Sequence, residues 1–200
     1  MMITPVKPGS VIASSLAEIV TRAAATLPAK TGAAAMAAHR RDRADVRCVV
    51  ADVSTSMDEM AGQRRKIDIL RDALKNIPPS IRVIAFSSIA QDVTGQPLPP
   101  PSGSTALHLA LDQAAALDPG HVLVISDGHP DDPAAALRAA DRMPSVQIDV
   151  IYCGPDHDRK GIAFMQRLAR GGGQVHRRSM VREPARIAQT VRATLALPPR

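Results

Sequence analysis

A three-layer α/β sandwich, its central sheet parallel except for one antiparallel edge strand, is the fold the sequence predicts, on three observations. Short apolar runs alternate with helix-period segments from about Ala44 onward. The runs are rich in Val and Ile, as strands covered on both faces are. One pair of runs, 81–86 and 90–93, is separated by too few residues for a crossover, so it reads as a hairpin that adds the antiparallel edge.

The elements follow in order. Residues 10–27 carry Leu16, Ile19, Val20, Ala23 and Leu27 at helical spacing, with Ser15 and Glu18 placed as a capping box and Pro28 as the stop. The Ala-rich and then Arg-rich stretch 29–44 reads equally as a second helix or a linker, so 1–43 is taken as a helical extension and 44–200 as the α/β domain. Strands are expected at 46–51, 81–86, 121–125 and 146–152, with a short last one at 174–176. Ile67, Leu70, Leu74 and Ile77 mark the face of one helix, and Leu107, Ala110, Leu111, Ala114 and Leu117 that of another. Asp132-Pro133 and Glu183-Pro184 read as helix starts with proline at the first helical position. A further helix through Ile162, Met165, Leu168 and Ala169 is expected to stop at the three glycines 171–173. Those glycines precede a strand rather than open a helix, which is the wrong orientation for a phosphate cradle.

Composition narrows the function classes. The chain has 200 residues, 45% of them hydrophobic but only 2% aromatic, so its core is built from Ala, Val, Ile, Leu and Met. No apolar run reaches the roughly 18 residues of a membrane span. The best N-terminal candidate for a leader, 11–20, is broken by Glu18, so neither a signal peptide nor a membrane anchor is expected. Cys48 and Cys153 sit in or beside apolar strands and are read as reduced, which points to the cytoplasm. A net charge of +6 invites nucleic acid, yet the basic residues fall in short clusters (Arg40, Arg41 and Arg43; Arg64, Arg65 and Lys66; Arg177 and Arg178) without aromatic interleaving, so solvated faces are the preferred reading.

The chemistry concentrates where strands end. The first buried strand runs into Asp52-Val53-Ser54-Thr55-Ser56-Met57, on the carboxyl edge of the sheet where open α/β sheets bind ligands. Asp52, Ser54 and Ser56 alternate, so one short loop can turn three oxygens inward, as a hard divalent cation requires. Serine and aspartate are also ordinary turn and cap residues, so the triplet alone is weak. Thr105, after the stiff proline-rich loop 97–101, and Asp127, in Ser126-Asp127-Gly128 at the end of another strand, should converge on the same edge.

In order and spacing, Asp52-x-Ser54-x-Ser56, Gly103-x-Thr105 and Asp127-Gly128 resemble the metal-ion-dependent adhesion site of von Willebrand factor A domains. The resemblance spans about Ala44 to Leu197 and implies a Rossmann-like fold with one Mg²⁺ or Mn²⁺ per chain. It further implies direct coordination by Ser54, Ser56 and, in at least one state, Thr105, with Asp52 and Asp127 binding directly or through water. Thr55 stands where many members have glycine, Ser126 where threonine is common, and Ala106 where proline often follows; none of these removes a ligand oxygen. Three of the five donors are neutral hydroxyls, so the ion keeps enough charge to take an Asp or Glu from a protein partner. Intracellular members commonly serve as adaptors, including in machines built around AAA+ ATPases. The resemblance implies no catalysis.

Other readings are weighed against this one. A hydrolase or phosphatase with Asp52 as phosphoryl acceptor would generally carry a second carboxylate two residues on, where Ser54 stands, and no P-loop, nucleophile elbow or dinucleotide fingerprint occurs. A basic nucleic-acid-binding module and a domain with a vestigial metal site are the others. His129, Asp131 and Asp132 read first as a helix-start loop, and second as partner or supporting contacts. Arg64, Arg65 and Lys66 read first as an exposed basic helix face, and second as a steering patch for an acidic partner. His108, His121, His157 and His176 have no zinc spacing. Oligomeric state is not readable from the sequence.

Overall fold

The computed structural model describes residues 46–196. The helix expected at 10–27, the stretch 29–44 and the boundary at 43/44 lie outside the described residues. So does the tail from Leu197.

Six strands form the main sheet: β1 (Arg47–Asp52), β4 (Ile81–Phe86), β5 (Ala90–Asp92), β6 (His121–Ser126), β7 (Gln147–Tyr152) and β8 (Val175–Arg177). Their spatial order is β5-β4-β1-β6-β7-β8, and every pairing is parallel except β4 with β5. The short spacing of 81–86 and 90–93 thus makes the antiparallel edge hairpin that was expected, closed by Ser87 N–H donating to the Ile89 carbonyl (2.8 Å). A second, two-stranded ribbon, β2 (Met60–Ala61) with β3 (Arg64–Arg65), turns at Gly62 (φ 69°). It was not expected, because two-residue strands carry no readable alternation.

Helices cover both faces. On one lie α1 (Lys66–Leu74) and α5 (Pro184–Thr194), which bury Ile67, Leu70, Ile187 and Val191 against Val49, Ala51, Leu123 and Ile125. On the other lie α2 (Leu107–Ala116), α3 (Pro133–Asp141) and α4 (Arg159–Leu168), packed on Cys48, Val50, Val122 and Val124. Alternate residues of β1 and β6 thus serve opposite cores, which is why those strands read as unbroken apolar runs. Cys48 and Cys153 are free and buried; burial pushes the Cys48 thiol up to about 12 and raises Cys153 as well. Among the described residues no helix is long and apolar enough to cross a membrane.

Several boundaries differ from expectation for local reasons. Helix α1 ends at Leu74, so Ile77 lies beyond it, although it still packs on the core. Asn76 takes the left-handed conformation (φ 72°), and the prolines at 78 and 79 disfavour helix before them. Helix α2 begins at Leu107 with Ala106 as its N-cap, so Thr105 stands just before it. Asp132 caps α3 as anticipated, accepting from Ala135 N–H (2.8 Å). Helix α4 stops at Leu168, ahead of the three glycines, with Ala169 already extended. Gly171 and Gly172 take the left-handed conformation that glycine permits (φ 62° and 87°), and two of the three also serve close approach: a Cβ on Gly171 would lie 2.3 Å from the Val146 carbonyl, and one on Gly173 2.0 Å from that of Ile148.

One buried charge pins three strands. Asp149 is 3% exposed; its Oδ2 meets His121 Nε2 (2.8 Å) and Gln147 Nε2 (2.7 Å), and its Oδ1 accepts Gln174 N–H (2.7 Å) at the approach to β8. Asp149→Ala would orphan a backbone donor and open a polar void. A stability loss of about 3 kcal/mol is expected in urea unfolding, and an unchanged midpoint would show that the network contributes little.

Candidate metal centre

Strand β1 lies where the chain, having built β4 and β5 on one side, crosses to build β6 on the other. Its carboxyl end is therefore a topological switch point, with a crevice above it. Asp52 closes that strand. It is fully buried, its Oδ1 accepting Ser54 N–H (2.9 Å) and its Oδ2 accepting the Ser126 hydroxyl (2.6 Å). Ser126 Oγ in turn accepts Gly128 N–H (3.1 Å), so two loops are tied through one carboxylate. Burial, with a smaller contribution from the charge of Asp127, pushes Asp52 up to about 6, against the opposing hydrogen bonds from Ser126 and Ser54.

After Asp52 the chain makes a single 3-10 turn, Thr55–Asp58, anchored by the fully buried Met57. That turn sets Ser54 Oγ 3.1 Å from Ser56 Oγ, and Ser56 donates to Asp127 Oδ1 (3.1 Å). Thr55 joins two loops, since its backbone N–H (3.1 Å) and hydroxyl (2.8 Å) both donate to the Gly103 carbonyl, while Ser102 N–H donates to the Val53 carbonyl (2.9 Å). These bonds lash the proline-rich loop to the Asp52 loop. Thr105 is tied reciprocally to the third loop, its N–H donating to Asp131 Oδ1 (3.0 Å) and its carbonyl accepting Asp131 N–H (3.0 Å). Asp131 is thus a supporting contact as well as part of a helix-start loop.

Of the five residues singled out from sequence, Asp52, Ser54, Ser56 and Asp127 are brought together in this hydrogen-bonded cluster. Thr105 lines a cavity of about 680 Å³ with Ser56, Asp127, Lys66 and His129. Asp52 and Ser54 are buried and do not line this cavity. His129 faces Asp158 (Nε2 to Oδ2, 2.7 Å) on the same rim.

Sequence reasoning missed the part of Lys66. Arg64 and Arg65 belong to β3, not to a helix, and pair with Asp72 (2.7 Å) and with Asp58 and Asp68 (3.1 and 3.0 Å) on the surface. Lys66 turns inward and meets Asp127 Oδ2 (2.8 Å) and Glu59 Oε2 (2.8 Å), its side chain 14% exposed. Burial alone would depress its ammonium, but the hydrogen bonds with Asp127 and Glu59 outweigh that and hold it above its ordinary value. Lys66 follows directly on the two-residue ribbon that turns at Gly62, and the sequence gives no sign of that ribbon.

The donor set fits a small hard cation. Two carboxylates and three hydroxyls supply oxygen only, and the hydrogen-bond partners of the buried Asp52 carboxylate carry no positive charge. Among the described residues no group of three or more His, Cys, Asp or Glu side chains is placed to hold a metal ion, and the cluster here pairs two carboxylates with hydroxyls.

No family model and no curated protein sequence matches the chain. Solved structures do. A von Willebrand factor type A protein from Catenulispora acidiphila superposes with TM-score 0.58 at 21% identity, over 76% of this chain and 42% of that one. The SpRpn10 VWA domain gives 0.56 at 13%, over 75% and 95%. The manganese-loaded TRAP protein of Plasmodium vivax gives 0.50 at 17%, over 64% and 63%. The match thus spans less than two thirds of the Catenulispora and TRAP chains. At such identities the likeness is one of fold: a von Willebrand factor A-type α/β sandwich.

Proposed function

We propose that this domain of von Willebrand factor A fold is a metal-dependent protein-binding module. It holds one Mg²⁺ or Mn²⁺ through Asp52, Ser54, Ser56, Thr105 and Asp127, and takes an acidic side chain of a partner protein as a further ligand. The observation that carries the reading is the chain of oxygens from Ser54 through Ser56 to Asp127, joined by the Ser54 amide to a buried carboxylate whose hydrogen-bond partners are uncharged. The manganese in the TRAP structure favours the same reading.

When bound, the ion would act as a Lewis-acidic anchor for the incoming carboxylate. The chain's own residues do the rest: Ser126 and the Ser54 amide orient Asp52, Met57 seats the hydroxyl-bearing turn, and Asp131 holds the Thr105 backbone. Asp52 is buried outside the cavity lining with each oxygen accepting a hydrogen bond, which favours a hold on the ion through water over direct contact and weighs against phosphoryl transfer to that carboxylate. The two buried free thiols favour a cytoplasmic adaptor.

The test is a pull-down with the full chain in Mg²⁺, in EDTA, and with Asp52→Ala. A partner retained only by wild type in Mg²⁺ is expected. Retention that survives EDTA but is stripped by salt would point to a charge-driven nucleic-acid or surface contact instead.

A further inference from the structure

We infer that Lys66 is a tethered counter-ion of this centre, which neutralises Asp127 while the metal is away and weakens the hold on the metal when it arrives. The inference rests on the metal reading above. Of the basic run Arg64, Arg65 and Lys66, the two arginines are about half exposed and paired with surface acids, whereas the lysine is shielded. Its ammonium lies on one oxygen of Asp127 while Ser56, itself a candidate ligand, lies on the other. One carboxylate therefore serves both a resident monocation and a candidate dication.

A dication bound beside that oxygen would meet a like charge, in surroundings where both Lys66 and Asp127 are largely screened from water. The base of the Lys66 side chain is held at this rim. Lys66 opens α1, and its own backbone N–H is fixed to the Glu59 carbonyl (3.0 Å). Glu59, whose side chain is 66% exposed, is the carboxylate the ammonium retains once Asp127 turns to the metal. The lysine thus sets the affinity of the centre without being one of its ligands.

The experiment titrates Mn²⁺ into the full-length wild type, Lys66→Met and Lys66→Gln by calorimetry, and records melting with and without saturating Mn²⁺. Either variant is expected to bind Mn²⁺ about tenfold more tightly, a gain of about 1.4 kcal/mol. Each should melt lower than wild type without metal and show a larger rise on adding it. Glutamine keeps a donor for Asp127, so it guards against the methionine variant failing to fold. Unchanged or weaker affinity, with melting lowered equally in both states, would mean that Lys66 only braces α1, and overturns the inference. Wild type that binds no Mn²⁺ removes the metal reading itself, and the inference with it.

Discussion

Asp52→Asn is expected to abolish the stabilisation that Mg²⁺ or Mn²⁺ gives the wild-type protein, while leaving the metal-free fold intact or firmer at neutral pH. With free metal at about a hundred times its dissociation constant, a single site adds about 2.7 kcal/mol, roughly a 5–10 °C rise in melting temperature at this size. Asparagine has nearly the shape of aspartate and can still accept from the Ser54 amide, and the Ser126 hydroxyl can rotate to receive its new N–H. What it lacks is the charge. In the metal-free protein that charge is a liability, because burial raises Asp52 from 3.8 to about 6. Below about pH 4 the carboxyl is protonated whether the chain is folded or not, and it costs nothing. Between about pH 4 and 6 the unfolded chain gives up the proton while the folded one keeps it, so stability falls as pH rises. Above about pH 6 the loss is constant at about 3 kcal/mol. Chemical denaturation across that window, in EDTA, should show the slope in wild type and its absence in the variant. A variant that still gains stability from metal would remove Asp52 from the centre.

Gly154→Ala should disarm the same site from a position that offers no ligand. A Cβ there would stand 2.3 Å from the Asp127 carbonyl oxygen and 2.4 Å from the Tyr152 hydroxyl. The first of these contacts is with backbone, so the loop bearing Asp127 must shift. Loss of the metal response is expected together with about 2 kcal/mol of stability, read from melting with and without Mn²⁺. If the response survives at wild-type strength, the Asp127 loop is more tolerant than this packing allows.

How much of this was legible beforehand depended on whether a feature repeats along the chain. Strands such as 81–86 and 121–125 could be read because their residues face two cores, leaving Arg82 and the leading His121 as the sole polar residues in the two runs, and the edge hairpin followed from one short spacing. The ligand candidates could be read because Asp52, Ser54 and Ser56 alternate and because Asp127 ends a strand. What escaped was set by contacts remote in sequence. Lys66 looked like one more basic residue until a two-residue ribbon aimed it at Asp127. The glycines at 171–173 looked like a helix terminus, whereas the smallness of Gly171 and Gly173 also answers to the carbonyls of Val146 and Ile148. Asp149 gave no signal as the tie between β6, β7 and the approach to β8, since an aspartate within an apolar run has the same spacing whatever it meets.

The sealed thiols give the molecule an internal clock. Cys48 is wholly enclosed and Cys153 nearly so, and neither forms thiolate near neutrality while the fold holds, so an alkylating reagent must wait for the sheet to open. Because Cys48 stands in β1 and Cys153 directly after β7, the rates at which they are capped report whether β1 and the end of β7 come apart in one step or separately.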